Sequence, residues 1–114
     1  MLDSPGADGN DRGPSPMDLV LIGLAGCTAM DVVSILHKKR QPFTDLVVRA
    51  EGEQAEDNPH RYTRVKLIYE VTGTGVDRAA VERAVELSEQ KYCSVSATLK
   101  LATDVTTEIV LKDA

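Results

Sequence analysis

SPMDLVLIGLAGCTAMDVVSIL, residues 15–36, is apolar on nearly every side of a helical wheel. Ser15 is a good N-cap and Pro16 a favoured first helical residue, so a helix is expected to start there. The cluster His37-Lys38-Lys39-Arg40 suits the negative end of the helix dipole, and Pro42 cannot continue the helix, so it is expected to end near Arg40. A helix apolar all round is buried on most sides. Gly23 and Gly26, with Ala25 and Ala29, make its surface smooth. Each glycine costs about 1 kcal/mol in a helix, and the expected return is close backbone approach by another element.

Outward from this helix the pattern changes period. Residues 44–54 (TDLVVRAEGEQ) and 62–72 (YTRVKLIYEVT) read as strands. In the second, Thr63, Val65, Leu67, Tyr69 and Val71 share one face, while Arg64, Lys66 and Glu70 share the other. The linker AEDNPHR makes the two a hairpin, and Gly73 and Gly75 break the chain after it. Asp77 can cap a helix over about 78–91, with Val81, Ala84, Val85 and Leu87 inward. A further helix is expected from Cys93 or Ser94 to about Leu101, and a last strand over 104–112. The order is α-β-β-α-α-β, an α+β fold with an antiparallel-rich sheet. Residues 1–14 are expected to be a flexible segment, and 15–114 a single domain.

Three strands give little cover for so apolar a helix. Burial alone therefore predicts a dimer with the first helix near the interface.

The chain has 114 residues, 42% hydrophobic and 27% charged, with net charge −5, which fits one ordinary globular domain. Negative charge argues against nucleic acid, which needs a basic face. The uncharged run from Leu19 to Met30 falls short of the roughly 20 residues a membrane span needs, and Asp18 and Asp31 bracket it. A core helix rather than a membrane helix is expected. The first sixteen residues are acidic and rich in Gly and Pro, unlike a signal peptide, so a reducing, cytoplasmic compartment is expected. There, two cysteines are more often catalytic, redox-sensing or simply buried than a structural disulfide.

The two cysteines sit in unlike contexts. On its apolar helix Cys27 alone reads as a small core hydrophobe. Asp31 lies one turn later on the same face, and a carboxylate raises a thiol pKa. Cys93, in SEQKYCSVSATL (88–99), falls at the first turn of a helix, where unpaired N–H groups favour a thiolate, and Lys91 is close. Local electrostatics thus make Cys93 the better nucleophile, the alternative being simple packing of a small residue. His37 lies some 15 Å along the helix from Cys27, too far to activate it. His60 sits in the hairpin loop. Neither a metal-binding spacing nor a phosphate-binding loop, nucleophile elbow or dinucleotide fingerprint is present, so no metal or cofactor is expected.

The segment around Cys27 and the segment around Cys93, in that order and separation, resemble the OsmC/Ohr family, and within it the YhfA-like branch. The resemblance covers residues from about 12 to 112. It implies an intertwined homodimer with long central helices in the dimer core and two sites at the subunit interface. It also implies reduction of organic hydroperoxides, with Cys27 as the peroxidatic thiol and Cys93 resolving it to a disulfide. That order is the reverse of the one local electrostatics suggest. An external dithiol then restores both thiols.

The family's activating Arg lies on an N-terminal strand farther from the first cysteine than this chain extends, and Arg12 is too close to Cys27 to be that residue. Most of the family's N-terminal hairpin is therefore expected to be missing. The position of the family's Arg-pairing Glu holds Met17, with Asp18 beside it. Without a cation, the thiolate fraction stays at a few per cent at neutral pH. Two further readings follow. In one, the chain is a non-catalytic redox-sensing or small-ligand-binding dimer of the same fold. In the other, both thiols are packing.

Overall fold

The computed structural model describes residues 13–114. Helix α1 spans Pro16–Lys38. Strands β1 (Phe43–Gln54) and β2 (Tyr62–Gly73) follow, then α2 (Arg78–Leu87), a π-helical turn (Ser88–Tyr92), α3 (Ser94–Leu99) and β3 (Asp104–Lys112). The order matches the α-β-β-α-α-β expectation, with one difference: the second helix changes hand-hold at Ser88 and finishes as a wide turn. The flexible segment expected over 1–14 falls mainly on residues 1–12, which lie outside the described residues, as does Arg12.

The start of α1 is held by a reciprocal capping box. The Asp18 N–H donates to Ser15 Oγ at 3.1 Å, and the Ser15 N–H donates to Asp18 Oδ2 at 3.0 Å. The carboxylate next to Met17 is thus engaged at the helix start. At the other end the basic cluster closes the helix as expected, and Arg40 turns the chain with φ of 55°.

The sheet order is β1-β2-β3, with β1 antiparallel and β3 parallel to the central β2. The register aligns apolar rows across it: Val48, Tyr69 and Ile109 in one, Leu46, Val71 and Leu111 in the next. This inner face packs under α1 and α2, and its centre at Val65, Leu67, Tyr69 and Val71 is fully closed to solvent. The faces of β2 are therefore those that period-two alternation predicts. Gly73 ends β2 where β1 begins. A Cβ there would stand 2.6 Å from the Pro42 carbonyl oxygen, so only glycine fits the approach.

One expectation about α1 fails within a single chain. The helix buries one stripe, Leu24, Thr28, Val32 and Leu36, spaced by four residues, and not most of its sides. Leu19, Ile22 and Met30 are exposed, Met30 by 76%. Nothing among the described residues lies within 4 Å of where a Cβ on Gly23 or Gly26 would stand. The smooth face is present, and none of the described residues covers it at these two glycines.

At 23 residues α1 is long and apolar enough to cross a membrane, a property the length of its uncharged run did not suggest. Packing, rather than length, makes it a core helix. It lies against β1, α2, the π turn and α3, and carries Asp31 at a hydrogen-bonded position within the fold.

Candidate functional site

Three features of local structure converge under the middle of α1. Cys27 and Asp31 share a face because they are one turn apart on a rigid helix. The π turn ends with the Cys93 N–H donating to the Ser88 carbonyl at 2.7 Å, across five residues. This wide turn points the Ser88 hydroxyl inward and delivers Cys93 to the start of α3. Such turns are rare and concentrate at functional sites. As a result the Cys27 sulfur, the Cys93 sulfur and an Asp31 carboxylate oxygen all lie within 4.8 Å of one another. Both thiols are free. Cys27 is half-buried and Cys93 is buried.

A line of hydroxyls runs beneath the thiols. Ser88 Oγ donates to Asp31 Oδ2 at 2.9 Å. Thr28 Oγ1 stands 2.8 Å from Ser88 Oγ and 2.8 Å from the Tyr69 hydroxyl. Each hydroxyl has one proton to give. Ser88 gives its proton to the carboxylate, so Thr28 donates to Ser88 and Tyr69 donates to Thr28. The Tyr69 contact with Glu89 Oε1, at 3.4 Å, is the weakest of the set. Burial pushes the Tyr69 hydroxyl well above the ordinary tyrosine range, so its proton stays in the chain. Glu89 is held from its other side: Ser96 Oγ donates to its Oε2 at 2.6 Å, and Lys100 Nζ is 3.3 Å from the same oxygen. No buried side-chain polar atom among the described residues lacks a partner. Asp31 is therefore fixed in its aim by a satisfied network.

The electrostatics of Cys93 differ from the helix-end expectation. Its sulfur does cap α3, accepting from the Ser96 N–H at 3.4 Å. Burial outweighs that bond, and the neighbouring Cys27 and Glu89 act in the same direction as burial, so the thiol is pushed up to about 11. Lys91 does not help: its ammonium stands over the Tyr92 ring, 5.4 Å from the centroid. Lys100 is committed to Glu89. The advantage of a helix N-terminus is real but smaller than the desolvation it competes with.

A pH prediction follows. The folded state holds the Cys93 proton to about 11, whereas an unfolded thiol releases it near 8.5. The unfolded state then binds fewer protons over that window, so stability falls as pH rises through it and is fully retained below it. The same shift predicts that alkylation of Cys93 in a Cys27→Ser chain is slower than that of a free thiol at pH 7 and climbs steeply above pH 9. Iodoacetamide kinetics read by mass would check this. A Cys93 as reactive as a free thiol at pH 7 would contradict the burial argument.

The histidines stay outside the site. His37 packs on Phe43, ring centroids 5.0 Å apart, and the His60 ring is hydrogen-bonded to the Ala55 carbonyl across the hairpin loop. A groove of about 360 Å³ shares Asp31 with the thiol cluster, with Ile35, Lys38, Leu87 and Tyr92 along its walls; neither cysteine lines it.

The sequence singles out Cys27 and Cys93 and places Asp31 one turn from Cys27; the fold brings the three together. Sequence reasoning missed Thr28, Tyr69, Ser88, Glu89 and Ser96 as members of the site. The available cue was Thr28, a hydroxyl on the buried stripe of an otherwise apolar helix, which must find polar partners.

The fold and the site together define an α+β protein with a dithiol held between a core helix and a π turn. The chain belongs to the OsmC family: its match to the OsmC-like protein family spans residues 8–108. It is 48% identical over 101 residues to Protein YhfA of Escherichia coli strain K12, covering 87% of this chain and 75% of that protein. A hypothetical protein from Aquifex aeolicus VF5, known from its crystal structure, superposes with a TM-score of 0.86 at 34% identity, over 98% of this chain and 87% of the other. The organic hydroperoxide resistance protein OhrB of Bacillus subtilis shares the fold at 18% identity, with a TM-score of 0.68 over 87% of this chain and 72% of its own.

Proposed function

We propose that the chain is a thiol-dependent reductase of organic hydroperoxides, with Cys27 as the attacking thiol and Cys93 as the resolving one. The observation that carries the reading is the pairing itself: two free thiols, distant in sequence, whose sulfurs lie within 4.8 Å across two elements. Their different environments support the division of labour. Cys27 is only half-buried, which suits the thiol that meets the peroxide first. Cys93 is buried and holds its proton, which suits a thiol that acts second.

The Cys27 thiolate attacks one oxygen of the O–O bond, and the other oxygen leaves with a proton as the alcohol. Cys27 is then a sulfenic acid. The Cys93 sulfur attacks it, water leaves, and a disulfide remains. An external dithiol returns two electrons and two protons. The groove that shares Asp31 with the thiols has apolar walls at Ile35, Leu87 and Tyr92, which supports a preference for an organic tail over hydrogen peroxide. Consumption of cumene hydroperoxide by reduced protein with dithiothreitol, compared with hydrogen peroxide, tests the reading; equal and very slow turnover of both would count against it. The carboxylates around the thiols favour a second reading, in which the same pair cycles slowly as a redox sensor. The two differ in rate, not in product.

The working form in this reading is a homodimer, with the exposed face of α1 covered by a second copy. Leu19, Ile22 and Met30 line that face, and shallow apolar hollows flank it at Ala29 and Val33 and at Val20 and Leu99. Exposed apolar surface of this kind marks an interface. A chain carrying Ile22→Glu and Met30→Glu is expected to sediment as a monomer, since each charge would have to be desolvated without a partner. A wild-type chain that already sediments as a monomer would remove the dimer from the account. A freely reducible dithiol suits a reducing compartment, so the proposed location is the cytoplasm.

A further inference from the structure

We infer that the reduced site binds one soft divalent cation, of the zinc class, through Cys27, Cys93 and Asp31. This is independent of peroxide turnover and needs only the reduced dithiol. The three donor atoms lie within 4.8 Å of one another. Two donors on a tetrahedral zinc with Zn–S of about 2.3 Å stand roughly 3.8 Å apart, so modest closure of the cluster completes the geometry. Two thiolates and a carboxylate are a donor set that zinc takes, with a fourth position left for water.

The surroundings are arranged for a cation more than for a free thiolate. The available lysines are turned to Glu89 and to the Tyr92 ring. A bound dication would supply positive charge beside two sulfurs and a carboxylate that lie within 4.8 Å of one another. The donors are also oriented in advance. Cys27 and Asp31 are fixed one turn apart on α1, and Ser88 Oγ donates to Asp31 Oδ2 at 2.9 Å, the outer contact that metal-binding carboxylates commonly have. The last donor comes from the π turn, whose Cys93 N–H closes on the Ser88 carbonyl, so the residue that orients Asp31 also positions Cys93.

Metal binding would make the site's two redox states exclusive. A disulfide between Cys27 and Cys93 removes both thiolate donors, so oxidation by a hydroperoxide releases the ion: two thiolates, one peroxide and two protons become a disulfide, an alcohol and water.

The test is a titration of the fully reduced chain with Zn²⁺ alone against a chromophoric chelator. One equivalent bound per chain is expected. Asp31→Asn is expected to weaken binding by about 10-fold or more, and Cys27→Ser and Cys93→Ser by more than Asp31→Asn. The diamide-oxidised chain is expected not to compete with the chelator. Cobalt should give a thiolate-to-metal charge-transfer band that is lost in Cys93→Ser, with circular dichroism confirming that each variant folds. Failure of the reduced chain to compete at micromolar Zn²⁺ would overturn the inference. So would equal binding by wild type and all three variants, which would put the ion on exposed carboxylates. A chain that turns over peroxide without binding zinc loses this inference alone; one that binds zinc without turnover loses only the proposed activity.

Discussion

Cys27→Ser is expected to reduce peroxide consumption to the solvent background, while Cys93→Ser leaves one turnover and a trapped sulfenic acid. The asymmetry follows from position. Cys27 is the half-buried, more accessible thiol, and without it the remaining Cys93 is buried and protonated, pushed up to about 11. A thiol, unlike a thiolate, is a poor nucleophile. In the Cys93→Ser chain the first step is intact, but the sulfur that should displace water is gone. Dimedone labelling after one equivalent of cumene hydroperoxide separates the two variants: label is expected in Cys93→Ser and not in Cys27→Ser. Label appearing on Cys93 in the Cys27→Ser chain, with retained turnover, would reverse the assignment.

The second large effect is on stability. Tyr69 is the largest fully buried side chain, at the centre of β2, with Val48 and Ile109 beside it in the sheet. Tyr69→Ala removes the ring and is expected to cost about 3–5 kcal/mol. A domain of this size has only about 5–15 kcal/mol to lose, so the variant sits near unfolding. Tyr69→Phe separates ring from hydroxyl. It keeps the packing but takes a donor from Thr28 Oγ1, 2.8 Å away, for an expected loss of about 1–3 kcal/mol. Urea midpoints for the two variants would check the order. A Tyr69→Phe loss as large as that of Tyr69→Ala would mean that the hydroxyl network, and not the ring, holds the core.

The backbone of the fold was legible because its signals are local. Ser15 and Pro16 start α1 where their cap and first-turn preferences place it, and the alternation of Val65, Leu67, Tyr69 and Val71 fixes the inner face of β2. The π turn was not legible. Ser88 to Tyr92 are acceptable helix residues, and a continuous helix to 91 was the natural expectation; the turn begins at Ser88, whose hydroxyl bonds to Thr28 and Asp31, far away in sequence. The same non-local cause hid the site. Asp31 was visible as a neighbour of Cys27, but its approach to Cys93 depends on that turn. The upward shift of the Cys93 thiol was hidden too, since burial is a tertiary property and the helix end is a local one. The exposed face of α1 is the opposite case: its composition asked for cover on all sides, and one chain supplies it on one.

The proposed function requires Cys27 and Cys93 to act as one redox pair. The most direct measurement is titration of the reduced chain with cumene hydroperoxide and, separately, hydrogen peroxide, counting free thiols and recording the intact mass. Rapid loss of both thiols, a mass lower by two hydrogens, and a preference for the organic peroxide are the predicted result. Retention of both thiols under excess oxidant, or a mass gain of oxygens with no disulfide, would contradict it.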